Sequence, residues 1–145
     1  EGVGLAAQQI GQAVAICTIE VPAEYDTDDQ GARIHPGLTM PMVILNPVIV
    51  EASRKTAGHD EGCLSFPGIR GDIQRPREIV LRYQDLEGAE HTLNLRDFVA
   101  RVVQHEVDHL NGVLFIDRMS APKRLVLKKR LQRLKAETEE QLGLA

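Results

Sequence analysis

The sequence predicts a single α+β domain. Up to Leu95 the chain is dominated by runs rich in β-branched residues with the alternation of strands. From Asp97 the apolar period becomes helical, and a second helical stretch follows Ser120. Strands first and helices after, within 145 residues, describe one α+β unit with its own core over 1–145.

The elements follow in order. Gly2-Val-Gly-Leu-Ala-Ala-Gln-Gln9 reads as a Gly-rich turn entering a short helix. Ala13 to Val21 is a strand. Tyr25 to Pro41 has no period and reads as a surface loop. Met42 to Val50 is a strand interrupted by Asn46-Pro47, which predicts an edge or a bulge. Ala52 to Gly62 is a polar loop, and Ile69 to Gln74 a short strand. Glu78 to Gln84 and Glu90 to Leu95 alternate around Asp85-Leu-Glu-Gly88 and form a hairpin. Val99, Val102, Val103 and Val107 recur at helical spacing, with Asp97 at the start and Gly112 as the stop. Ser120 caps a last, basic helix over 120–142, with Pro122 in its first turn and Gly143 near its end.

Composition narrows the class. There is no Trp and aromatics are 3%, so the core is aliphatic. No apolar run approaches the ~18–20 residues of a membrane span, and no basic segment precedes an apolar stretch as in a signal peptide. The chain opens on Glu1 directly at a Gly-rich motif, which predicts that a natural N-terminal segment precedes it. Two cysteines are too few for a disulfide framework and suggest a reducing compartment. Cys17 lies in an apolar run and reads as a buried thiol, whereas Cys63 lies in a polar, Gly-rich stretch. Net charge is −4, yet residues 119–145 carry seven Lys and Arg against three Glu. An acidic body with a basic tail calls for separate readings of the two.

Gln104-His-Glu-Val-Asp-His-Leu-Asn-Gly112 contains His-Glu-x-x-His. On a helix His105 and His109 stand one turn apart on one face, where two neutral imidazoles can hold a divalent ion with Glu106 beside them. A solvated His/Glu face is the alternative. A catalytic ion needs a third protein ligand and an open position. The third His of a metzincin would fall at Phe115, which excludes that pattern. Downstream acids are Asp117 and then Glu137, Glu139 and Glu140 in the charged tail, so the thermolysin pattern fits poorly. His35, His59, His91 and Cys63 remain. Cys63 is set apart by its surroundings, since Gly62 frees the backbone to approach an ion and a bound ion deprotonates a thiol. A buried loop cysteine is the alternative.

Three segments, Gly2-Val-Gly-Leu-Ala-Ala-x-Gln9, Glu61-Gly-Cys-Leu-Ser65 and Gln104-His-Glu-x-Asp-His-Leu-x-Gly112, together resemble the three motifs of peptide deformylases, in the family's order. Phe66-Pro-Gly-Ile-Arg-Gly71 is similar to the stretch after the Cys motif in the bacterial and organellar group. The resemblance implies a mixed, largely antiparallel sheet around the central helix that carries the His-Glu-x-x-His motif, with a C-terminal helix beyond it. It implies a metal-dependent hydrolase that removes the formyl group from the N-terminal formyl-methionine of new polypeptides, releasing formate.

By the same resemblance Cys63, His105 and His109 are the metal ligands. The ion is Fe²⁺ natively, and Zn²⁺, Ni²⁺ or Co²⁺ can occupy the site. Glu106 moves the proton from water to the leaving amine. The Gln9 side-chain amide and the Leu64 backbone N–H donate to the formyl oxygen as charge develops on it. Gly4 and Gly62 serve substrate binding, Gly4 by leaving room for a peptide that adds like a strand. Glu61 pairs with Arg75 and holds the Cys63 loop. Val102, Val103 and Ile69 are candidate walls of a methionine pocket and equally good core residues.

The sequence departs from the family at Gln8, where Pro or a small residue is usual. In the tail, Leu127, Leu131 and Leu134 form a stripe that docks on the body, and Lys and Arg cover the remainder. Bacterial relatives can contact the ribosome through a C-terminal helix, which makes ribosomal RNA phosphates a candidate partner of the tail. The expected partners include neither DNA nor a membrane. The expected location is the bacterial cytoplasm, or an organelle if a leader precedes the chain. Two rival readings are a zinc metallopeptidase and a metal-binding module without activity.

Overall fold

The computed structural model describes residues 2–144, so Glu1 and Ala145 at the ends of the predicted 1–145 domain lie outside it. The chain divides into two compact units. One comprises the chain up to Ala57 together with Arg75–Leu114, and the other Gly58–Gln74 with the chain from Phe115 onward.

The first unit is built on a five-stranded sheet and one helix. Its strands are β1 (Gly4–Ala6), β2 (Ile16–Ile19), β3 (Met42–Ala52), β6 (Glu78–Gln84) and β7 (Glu90–Arg96), in the spatial order β1-β2-β3-β6-β7. Every pairing between these neighbours is antiparallel. The predicted turn at the start of the chain is instead the edge strand β1, followed by a 3₁₀ turn over Ala7–Ile10. Three residues beginning with Gly are too short to show alternation.

Pro47 lies inside β3, a central strand, because the ladder is interrupted there. Register shifts between Leu45 and Val48, and Asn46 takes φ +49°, a left-handed conformation that Asn tolerates. The Asn46 amide donates to Gln84 Oε1 at 2.8 Å and so bridges the bulge.

Helix α1 (Asp97–Leu110) begins with no loop after β7. Asp97 sits at φ +56° and is clamped twice: its N–H donates to the Arg77 carbonyl at 2.9 Å, and Arg77 Nε donates to its carboxylate at 2.7 Å. Gly112, at φ +74°, closes the far end as the sequence predicts. The apolar stripe of α1, including Val99, Val102 and Val103, packs into one aliphatic core with Ile19, Ile44 and Leu81.

The second unit holds most of β4 (Thr56–Gly62) and β5 (Arg70–Pro76), which pair as a two-stranded sheet, and helix α2 (Ala121–Gln141). Strand β4 replaces most of the predicted polar loop; its Thr-Ala-Gly-His-Asp-Glu-Gly sequence has no apolar alternation to mark a strand. Phe115 is fully buried here, edge-on to Phe66 at 5.6 Å. Ile69, Ile73 and Met119 complete the cluster, against which Leu127, Leu131 and Leu134 of α2 pack. Ser120 occupies the N-cap of α2 but its side chain makes no capping bond. Lys123 instead ties the helix to Asp72 at 2.9 Å, and Arg130 donates to the Gly68 carbonyl. No helix among the described residues is long and apolar enough to cross a membrane.

Candidate functional site

Because α1 buries its valine face, the His-Glu-x-x-His residues fall on neighbouring parts of its surface. His105 is half-buried and His109 buried, their ring centroids 5.1 Å apart and their planes 60° apart. Glu106 lies between them in sequence but turns toward β1 and is 4% exposed. A Cβ at Gly4 would stand 2.5 Å from its Oε1 and 2.8 Å from its Cγ. The room that a side chain would take at Gly4 is therefore filled by the Glu106 carboxylate.

Cys17, opposite Ala6 in the β1–β2 ladder, senses the same group. Burial, and then the Glu106 charge, push its thiol up to about 12. It is the buried, protonated strand cysteine that the sequence suggests.

Two tethers hold the middle of α1. Gln104 Nε2 donates to the carbonyls of Pro76 at 2.9 Å and Ala100 at 3.1 Å. Arg75 Nη1 donates to Asp108 Oδ2 at 2.8 Å, and both residues are buried. From sequence, Arg75 is expected to pair with Glu61, itself buried near the end of β4; the bond described in the structure is the one to Asp108. Asp108 is variable in the bare His-Glu-x-x-His pattern but fixed in the longer third motif, which marks the residue without saying what it pairs with.

Gln9 ends the first motif in the 3₁₀ turn. Its Oε1 accepts the Ala6 N–H at 2.8 Å, half of a capping box, which makes Nε2 the donor end of the side chain. Cys63 and Leu64 open a tight turn after β4, closed by the Phe66 N–H on the Cys63 carbonyl at 2.9 Å. Leu64 is 63% exposed, so the turn is shaped by its backbone and not by side-chain burial. At Gly62 a Cβ would meet Arg70 Nη1 at 2.7 Å, the far end of a flexible side chain that pairs with Asp60 at 2.7 Å.

Among the described residues Cys63, His105 and His109 form a group able to hold a metal, each offering one atom, with these atoms within 4.8 Å of one another. One thiolate with two imidazoles suits a borderline divalent ion, and three protein ligands leave a position open. Two of the remaining histidines are engaged elsewhere. His35 binds Asp26 at 2.6 Å and accepts the Arg96 N–H, and His91 binds Asp85 at 2.6 Å.

The polypeptide deformylase family model matches residues 1–125. The chain belongs to the polypeptide deformylase family. A peptide deformylase of Opitutus terrae is 49% identical over 131 residues, 87% of this chain and 68% of that protein. One of Chloroflexus aurantiacus is 44% identical over 119 residues, 81% of this chain and 63% of that protein. The chain thus spans about two-thirds of the length of these curated deformylases. The crystal structure of Arabidopsis thaliana peptide deformylase 1B with an inhibitor superposes with a TM-score of 0.82 at 36% identity, covering 99% of this chain and 73% of that one. This chain has the α+β arrangement that the motifs implied, with antiparallel sheets and residues 105–109 on helix Asp97–Leu110, and it superposes on that deformylase.

Proposed function

We propose that this chain removes the formyl group from the N-terminal formyl-methionine of newly made polypeptides and releases formate. The observation that carries the reading is the Cys63, His105 and His109 group, its donor atoms within 4.8 Å, in a chain of the deformylase family. A divalent ion held by these three residues would supply Lewis-acid polarisation and a water of lowered pKa. Fe²⁺ is proposed as the native ion, with Zn²⁺, Ni²⁺ and Co²⁺ suited to the same donors.

The remaining chemistry belongs to the protein's own groups. Water adds to the formyl carbon, and Glu106 takes its proton. The C–N bond then breaks, and Glu106 passes that proton to the amine of the methionine. Gln9 Nε2 and the Leu64 N–H donate to the formyl oxygen as negative charge gathers there. The bond from Ala6 N–H to Gln9 Oε1 supports this role, because it fixes which end of the amide donates. The backbone of Gly4 and of Gly62 borders the peptide, and the buried Glu61 and Arg75 brace the ligands.

The test is formate release from a short formyl-Met peptide after anaerobic loading with Fe²⁺ or Ni²⁺. Release is expected, and its loss in both Cys63→Ala and Glu106→Ala. Cleavage of an internal bond in an unformylated peptide would replace this reading with a metallopeptidase, and no release from folded, loaded protein would end it.

We also propose that α2 meets ribosomal RNA, in the cytoplasm or an organelle. Arg124, Lys128 and Lys129 are exposed along it, whereas Lys123 and Arg130 are bonded to Asp72 and Gly68. Changing Arg124, Lys128 and Lys129 to Glu should abolish ribosome co-sedimentation in low salt; unchanged co-sedimentation would exclude the ribosome as the partner of this helix.

A further inference from the structure

Glycine at position 4 is not required by the backbone. Its φ is outside the left-handed region, unlike Gly11 or Gly112, and it pairs in regular register with Ile19. Glycine weakens a strand and here stands in an edge strand of three residues, so some other demand keeps a side chain out. That demand is visible in what a Cβ would meet: Glu106 Oε1 at 2.5 Å, Cγ at 2.8 Å and Cδ at 2.9 Å. The overlap runs along the side chain and is not confined to its tip. Glu106 is also 4% exposed and flanked on α1 by buried Val102, Val103 and Val107, so it cannot swing into solvent to relieve a clash.

We propose that Gly4 is a positioning residue for Glu106, its bare Cα giving the carboxylate a seat against the backbone of β1. The inference rests on the reading of Glu106 as the proton carrier. It differs from the expectation that Gly4 makes room for the substrate, because the occupant of the room is a side chain of the protein itself. A methyl at position 4 displaces the carboxylate, and a displacement near 1 Å costs a positioned group about 100-fold in rate.

The experiment compares the full chain with Gly4→Ala, Glu106→Ala and the double variant. Thermal unfolding without added metal is the first readout. Gly4→Ala should lower Tm by about 5 °C when Glu106 is present. It should leave Tm unchanged or raised when Glu106 is already Ala, because the space is then vacant and Ala restricts the unfolded chain more than Gly. If Gly4→Ala alone fails to fold, recovery of folding in the double variant supports the seat equally well, and no recovery overturns it. The second readout is formate release from formyl-Met peptide by the metal-loaded proteins, where Gly4→Ala should lower kcat about 100-fold with KM little changed. Equal loss of Tm in both backgrounds, or a raised KM with kcat intact, would overturn the proposal, the latter returning the space to the substrate. If the parent protein releases no formate, the deformylase reading falls, while the Tm comparison still decides whether Glu106 occupies the seat.

Discussion

Arg75 and Asp108 meet inside the protein at 2.8 Å, 33 residues apart in sequence, with Asp108 next to His109. An arginine cannot shed its charge, so its carboxylate partner matters more than an ion pair on the surface would. Asp108→Ala should cost about 3–5 kcal/mol of stability, measured by denaturant unfolding. A double-mutant cycle with Arg75→Met and Asp108→Leu should show a coupling of about 0.5–3 kcal/mol between the two side chains. Strict additivity of the two single changes would show that the pair is not coupled.

Gln9 Oε1 accepts the Ala6 N–H, and the proposed role of Gln9 is donation from Nε2 to the formyl group. Gln9→Ala should lower kcat by roughly 10²–10³-fold, about 2.7–4 kcal/mol of barrier, if one donor to the developing oxyanion is lost. Steady-state kinetics on formyl-Met peptide measure it. A rise in KM alone would assign Gln9 to substrate binding.

Metal and stability should be linked through Cys63. An ion that binds the folded state raises Tm by mass action, about 2.7 kcal/mol at a hundredfold excess over Kd. Adding Ni²⁺ to chelator-stripped protein should therefore raise Tm, and Cys63→Ala should abolish the increment while leaving the apo Tm near its original value. An unchanged increment in that variant would remove Cys63 from the ligand set.

The β6–β7 hairpin carries a pH signature of its own. Its turn is organised by Asp85, whose carboxylate binds His91 at 2.6 Å and accepts the Glu87 and Ala89 N–H groups at 2.9 Å. The His91 hydrogen bond chiefly, with those N–H groups, holds Asp85 below the usual carboxylate range. A depressed folded-state pKa gives stability that is present above the unfolded value and is lost as pH falls through the folded one. The Tm difference between the parent and Asp85→Asn should be present near neutral pH and shrink in acid. A constant difference would show that the charge of Asp85 is irrelevant to the turn.

The parts of this molecule that are legible in sequence are those in which period and punctuation agree. Helix α1 shows its valine spacing and its closing Gly112, and β6 and β7 alternate around a Gly-containing turn. The motif residues are legible because their chemistry is unusual at that spacing. Strand β1 is too short to have a period, and β4 is too polar to show one. Asn46-Pro47 does signal a bulge, but not that the bulge interrupts a central strand. The Arg75–Asp108 pair and the seat of Glu106 at Gly4 join residues more than thirty positions apart, and no local pattern encodes such contacts.

The direct passage from β7 into α1 has a geometric consequence. With no linking residue between Arg96 and Asp97, the angular setting of the helix is fixed by residue count alone. Each residue turns an α-helix by about 100°. One residue inserted after Arg96 would rotate His105, Glu106 and His109 together by that angle, turning Glu106 away from Gly4 while bringing polar side chains into the valine core. The junction therefore works as an indexing stop: substitutions around it can be absorbed, whereas a change of length there would dismantle the candidate site without altering any of its residues.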